Sequence, residues 1–239
     1  MHALDSVSLK LETGERRGVI GPNGAGKTTL FHLISGMLQP TAGRIHLFGH
    51  DVTRMPTHRR TGLGLACTFQ ITNLFAKLTL KKNLLLSLQG LDAMKFSMLR
   101  SMSSYTRLQA KADELLEEWE LLDRSGLPVW ELSYGDQRKV EILLAMAQNP
   151  KLLLLDEPTA GLSPAETAVV CGLIRKLPRR TTILLIEHDM DVAFDLVDNI
   201  SVLHVGKVAA QGTCQEIRNN AIVQDIYLGK SKEEAPYAL

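Results

Sequence analysis

The 239-residue sequence predicts an α/β fold built on a mainly parallel sheet. Short apolar runs, too brief for helices, recur along the chain and end in polar residues. One of them passes through a glycine-rich loop directly into a helical pattern, and a leucine-rich stretch in the middle repeats every three or four residues. At roughly 150 residues per domain, the length fits one large unit or a core that carries a subdomain.

Val7-Ser8-Leu9-Lys10-Leu11-Glu12 alternates apolar and polar and predicts a strand with one wet face, closed by Gly14. Arg17-Gly18-Val19-Ile20 predicts a buried strand, and from Lys27 a helix begins with Leu30, Leu33, Ile34 and Met37 on its apolar positions. Between Thr79 and Leu122 the spacing of Leu84, Leu85, Leu88, Leu108, Ala112, Leu115, Leu116 and Trp119 predicts a helical insertion, with Lys81-Lys82 and Glu117-Glu118 on solvated faces. Leu152–Leu155 and Thr182–Ile186 are apolar runs suited to a sheet covered on both faces. Ser201–Val205 and Val208–Ala210 flank Gly206-Lys207 as a hairpin, and Thr213-Cys214-Gln215-Glu216 is a capping box opening a short helix. The expected organisation is a core over 1–72 and 148–239, with a helical subdomain over 73–147.

Charge and composition exclude several functions. Lys and Arg number 27 against 26 Asp and Glu, and aromatic residues are 5%, so neither a phosphate-tracking nor a base-stacking nucleic-acid surface is expected. Cys67, Cys171 and Cys214 form no C-x-x-C pair, which supports neither a disulfide framework nor a zinc site and fits a reducing compartment. The apolar run Ile142–Ala147 is about a third of the roughly 18 residues a spanning helix needs. The amino terminus already carries Asp5, Lys10 and Glu12, so the expectation is a soluble chain without a signal peptide that reaches a membrane only through a partner.

Gly21-Pro22-Asn23-Gly24-Ala25-Gly26-Lys27-Thr28 fits the pattern G-x-x-x-x-G-K-[ST]. Glycines let successive backbone N–H groups converge on phosphate oxygens, Lys27 reaches the β- and γ-phosphates, and the Thr28 hydroxyl can hold magnesium. Thr29 belongs to the same phosphate-binding stretch. Leu152–Leu155 then delivers Asp156 and Glu157 at a strand end, where the turning chain can send one carboxylate to a metal and the other to a water. Asp156 is the metal-side candidate, and Glu157 the candidate general base or water-positioning group. Ser133 with Asp136 reads as a capping box before the apolar positions Val140, Leu143, Leu144 and Ala147, and that helix start would also suit an anion such as a γ-phosphate.

In this order, the motifs resemble those of ATP-binding cassette (ABC) ATPases over nearly the whole chain. The resemblance implies a P-loop NTPase core with an antiparallel β subdomain and an inserted α-helical subdomain. It implies ATP and Mg2+ as ligands, Gln70 as a glutamine that contacts metal and water, Ser133 and Gly135 as signature residues, and His188 as the histidine holding the γ-phosphate. Two such cassettes pair head to tail, so a second ATPase subunit, identical or similar, is expected. Thr68-Phe69-Gln70, Asn73-Leu74-Phe75, Leu132–Arg138, Ala160–Pro164, Thr181–Met190 and Ile226-Tyr227-Leu228-Gly229 resemble the ATPase subunits of branched-chain amino acid importers. That implies attachment to the cytoplasmic side of a membrane through integral permease subunits, with a periplasmic or extracellular solute-binding protein as an indirect partner and no nucleic acid. Relatives handling urea or aromatic acids, and lipopolysaccharide-export ATPases, share parts of the pattern. A non-transport ABC module and a kinase using the same loop are the other readings.

The sequence departs from the family pattern at four places. Tyr134 replaces a signature glycine, and Asp136 replaces a glutamine. A carboxylate aimed at ATP would repel phosphate, so Asp136 is expected to cap its own helix. Ser163 stands where many cassettes have an aspartate that communicates between sites. Only Met1 and His2 precede Ala3, where the family has a further strand and an adenine-stacking aromatic. That implies weaker adenine contacts and a frayed antiparallel edge.

Overall fold

The computed structural model describes residues 3–68, 74–90 and 106–228. Eight strands fall within these residues: β1 (Arg16–Ile20), β2 (His46–Leu47), β3 (His50–Asp51), β4 (Leu65–Cys67), β5 (Leu152–Asp156), β6 (Thr182–Ile186), β7 (Asn199–His204) and β8 (Lys207–Thr213). The α-helices are α1 (Lys27–Ser35), α2 (Thr57–Leu63), α3 (Leu80–Gly90), α4 (Thr106–Glu118), α5 (Tyr134–Ala147), α6 (Pro164–Lys176), α7 (Met190–Leu196), α8 (Cys214–Arg218) and α9 (Ala221–Leu228). The chain forms two compact units, one from Met1–Cys67, Lys151–Glu157 and Ile174–Leu239, the other from Thr68–Pro150 and Pro158–Leu173.

The first unit holds a six-stranded sheet in the order β4-β5-β6-β1-β7-β8. Every pairing is parallel except β7 with β8. Parallel strands covered on both faces need continuous apolar runs, and Val19, Ile20, Leu153, Leu154, Leu155, Leu185, Ile200 and Val202 are all fully buried. Register fixes what lies at the sheet's carboxyl end. Val19 pairs with Ile186, and Ile186 with Asp156, so the segments leaving β1, β6 and β5 emerge side by side. Such a strand-end row is where open α/β sheets bind ligands.

Two expectations need correction. Val7–Glu12 alternates between half-buried and exposed positions, yet forms no strand. Alternation specifies a face, whereas a strand also needs a ladder partner, and the two-residue β2 and β3 pair with each other. The hairpin turns one residue earlier than the spacing suggests, at Val205-Gly206, with φ 47° and 73° and His204 paired with Lys207. Two left-handed residues match the twist of antiparallel strands.

Arg60 holds α1 from behind. Its side chain is fully buried and donates to the carbonyl oxygens of Leu33 (2.6 Å), Ile34 (2.8 Å) and Met55 (2.8 Å). The first two are carbonyls of the last turn of α1, which has no further helical N–H to accept. Gly36 ends the helix at φ 85°, and a Cβ there would meet Arg60 Nε at 2.7 Å. Burial lowers the Arg60 pKa without neutralising so strong a base.

In the second unit the leucine period is buried: Leu80, Leu84, Ala112, Leu116, Leu121, Val140 and Leu143 are fully inaccessible. Ser87 Oγ donates to the Leu144 carbonyl at 2.9 Å, tying α3 to α5. Asn83 accepts the Phe75 N–H at 2.9 Å and donates to the Phe75, Leu78 and Thr79 carbonyls, ordering the entry to α3. Among the described residues no helix is long and apolar enough to cross a membrane.

Replacing Arg60 with Met keeps the aliphatic stem and orphans at least three carbonyls. Stability is expected to fall by about 2–4 kcal/mol, measured by urea denaturation; an unchanged midpoint would contradict the role given to the guanidinium.

Candidate nucleotide site

β1 ends at Ile20, and Gly21 follows at φ 155°; a Cβ there would sit 2.2 Å from the Leu203 carbonyl oxygen, so only glycine fits. Gly26, at φ 104°, opens α1 with no side-chain cap, and no acidic residue stands in the helix's first turn. Uncapped N–H groups, the helix dipole and the absence of a nearby first-turn carboxylate together favour an anion. Residues Ala3–Asp5 pass close by. A Cβ on Gly26 would meet Leu4 Cδ2 at 2.6 Å, and Asp5 N–H donates to the Gly206 carbonyl at 2.8 Å.

Lys27 is buried, its ammonium donating to the Gly21 carbonyl at 2.7 Å and the Pro22 carbonyl at 3.2 Å. Ala25 is buried, while Asn23, Gly24 and Thr28 are exposed, and Pro22 and Thr29 lie between these extremes. At the end of β5, Asp156 is buried and Glu157 adopts a left-handed backbone, φ 45°, with its N–H donating to the Ile186 carbonyl at 2.9 Å. A non-glycine residue in that region costs on the order of 1–3 kcal/mol. The turn separates the two carboxylates, and Glu157 Oε1 lies 3.6 Å from His188 Nδ1. Glu157 and His188, 31 positions apart, are thereby brought together.

Sequence reasoning missed two residues of this unit. Glu187 is fully buried, and its carboxylate accepts the His188 N–H at 3.3 Å, fixing the histidine's backbone. The signal was a carboxylate at the buried end of an apolar strand. Tyr227 on α9 has a buried hydroxyl; burial pushes its phenol up to about 12, the neighbouring Gly21 backbone working the other way. Its motif was visible, but nothing in the sequence tied it to the glycine loop.

In the second unit, Ser133 caps α5, its Oγ accepting the Asp136 N–H at 3.1 Å. The expectation for Asp136 is refined: Ser133 is the cap, and the Asp136 carboxylate accepts the Ser133 hydroxyl at 2.8 Å while pairing with Arg124. Tyr134 stacks beside Gly161, where a Cβ would meet its ring at 3.3 Å, and its hydroxyl accepts from Arg138 at 3.0 Å. Arg138 and Glu141 form a buried pair at 2.7 Å. Ser163 opens α6 with Glu166, whose carboxylate accepts the Ser163 hydroxyl at 2.7 Å and N–H at 3.0 Å. Those bonds, the hydroxyl's first, hold Glu166 below the usual carboxylate range. Gln70 lies outside the described residues.

For a metal, no group of three or more His, Cys, Asp or Glu side chains able to hold an ion occurs among the described residues. The Thr28 hydroxyl and the buried Asp156 carboxylate are hard oxygen donors too few for a protein cage. They fit magnesium, which prefers one or two protein oxygens together with substrate phosphates and water.

A family model described as ABC transporter matches residues 4–160. The chain belongs to the ABC transporter family. It is an ABC-type ATPase, and its α/β core is that of the family's solved cassettes. One, a nucleotide-free ATP-binding cassette, superposes with a TM-score of 0.82 at 30% identity over 94% of this chain and 92% of that one. A cassette in its ADP conformation gives 0.82 at 29%, covering 95% and 92%. A dimeric cassette in a post-hydrolysis state with ADP and Pi gives 0.74 at 28%, covering 89% and 90%. Among curated relatives, the high-affinity branched-chain amino acid transport ATP-binding protein LivG of Escherichia coli is 40% identical across 96% of this chain and 92% of its own length. BraF of Pseudomonas aeruginosa, bearing the same description, is 39% identical over the same shares.

Asp136→Ala is expected to destabilise the cassette by about 1–2 kcal/mol through the loosened cap and Arg124 pair, with ATP affinity unchanged. Thermal melts beside nucleotide titration check this; lost affinity at full stability would reverse the assignment.

Proposed function

We propose that this cassette hydrolyses Mg-ATP to drive an importer for branched-chain or other hydrophobic amino acids, docked on the cytoplasmic side of the membrane through permease subunits. The observation that carries the solute class is the near full-length similarity to LivG and BraF. Phe75 and Trp130, each 62% exposed in the helical unit, supply an apolar patch for the permease. Trp130 N–H donates to the Ala76 carbonyl at 3.2 Å, so the two residues lie on neighbouring stretches of backbone.

In this reading the glycine loop's N–H groups and Lys27 hold the β- and γ-phosphates, Lys27 exchanging the Gly21 and Pro22 carbonyls for phosphate oxygens. Thr28 and Asp156, with Gln70, hold magnesium. Held there, magnesium would supply positive charge to offset that of the phosphates. Glu157 accepts a hydrogen bond from water and draws off its proton as the water oxygen bonds to the γ-phosphorus. The bond to the β-phosphate oxygen breaks, releasing ADP and phosphate. His188, beside Glu157, contacts the γ-phosphate. Ser133 and Gly135 of a second subunit complete the enclosure, so catalysis comes mainly from positioning and charge.

Glu157→Gln is expected to retain ATP binding and ATP-dependent pairing while turnover falls about 10²- to 10⁴-fold, read by phosphate release; wild-type turnover would reject Glu157 as the water-activating group. Replacing Phe75 and Trp130 together with Ser should abolish co-purification with the membrane subunits while leaving the fold intact by circular dichroism. Stimulation of the reconstituted complex by hydrophobic amino acids decides the solute class.

A further inference from the structure

One carboxylate joins the signature helix to the helix after Ser163. The α6 cap uses only Glu166 Oε2, which takes both the Ser163 hydroxyl (2.7 Å) and the Ser163 N–H (3.0 Å). Oε1 is left over, and it accepts the N–H of Gly135 at 3.2 Å. The contact is close: a Cβ on Gly135 would lie 2.8 Å from Oε1, 2.9 Å from Cγ and 3.1 Å from Cδ, so the carboxylate lies on the glycine's bare Cα. Gly135 is the second residue of α5, and its N–H is an orphan donor of that helix. The next N–H, of Asp136, is already taken by Ser133 Oγ.

We propose that Glu166 is an internal stand-in for nucleotide, its Oε1 occupying the Gly135 amide until a second subunit presents the γ-phosphate there. This rests on the reading of Ser133 and Gly135 as the signature contacts. A carboxylate and a phosphate repel and cannot share one N–H, so pairing of two cassettes first requires Oε1 to leave. Glu166 is thus a positioning residue that sets the ATP concentration at which cassettes pair. Ser163, in place of an aspartate, supplies the hydroxyl that anchors this gate.

The test uses the full chain carrying Glu157→Gln, titrated with Mg-ATP and followed to the dimer by light scattering. Adding Glu166→Gln keeps a side chain able to cap α6 and removes the charge. Adding Glu166→Asp keeps charge and cap but is one methylene too short to reach Gly135 as well. Both are expected to lower the half-maximal ATP concentration for pairing by about three- to tenfold, the worth of one hydrogen bond, while fluorescent-nucleotide binding to the monomer is unchanged. Unchanged or raised thresholds overturn the proposal. A shift with Gln and none with Asp also overturns it, since that pattern marks the charge rather than the contact. Failure of the Glu157→Gln parent to pair in ATP overturns the signature reading beneath it.

Discussion

The loop after β1 can close only because Gly21 carries no side chain where the Leu203 carbonyl oxygen would be 2.2 Å away. The rest of the glycine-loop end follows from that contact. β1 runs between β6 and β7, so its last residues are pinned on both sides, and the backbone must leave the sheet past β7 before α1 starts. A helix that starts so close to a strand end directs its first N–H groups into the same space as the ends of β5 and β6. Arg60 then fixes the opposite end of α1 by taking carbonyls of its last turn. The start of α1 is therefore held by backbone geometry on one side and its far end by a buried cation, with little left to side-chain adjustment.

Charge is distributed accordingly. The loop itself is cationic and rich in N–H groups, and Lys27 is already desolvated against carbonyl oxygens. The acidic groups stand at the strand ends, where the left-handed turn at Glu157 keeps Asp156 inward and sends Glu157 toward His188. In the helical unit the carboxylates do a different job. Asp136 and Glu166 each answer a hydroxyl at a helix start, the arrangement that most cheaply satisfies orphan N–H groups.

What could be read in the sequence was what depends on local spacing. The glycine loop, the β5 and β6 runs, the α5 start and the Thr213–Glu216 capping box all appear where their patterns put them. Val7–Glu12 did not become a strand, because ladder partners are a non-local property that alternation cannot report. Glu187 and Tyr227 stayed hidden for a related reason. Their significance comes from sheet register and from the path of the last helix, which place them against His188 and Gly21. Glu166 drew no reading from its local sequence, since its second oxygen reaches a glycine 31 positions earlier.

Tyr134 shows how far a short motif extends into its surroundings. Its ring lies over Gly161, its hydroxyl accepts from Arg138, and Arg138 is itself buried against Glu141. A chimera that moved Leu132–Gln137 alone into another cassette would import a tyrosine without the guanidinium that steadies it or the bare backbone that makes room for its ring. The transferable unit is Leu132–Glu141 together with the loop at Gly161, and the two pieces would have to travel as one.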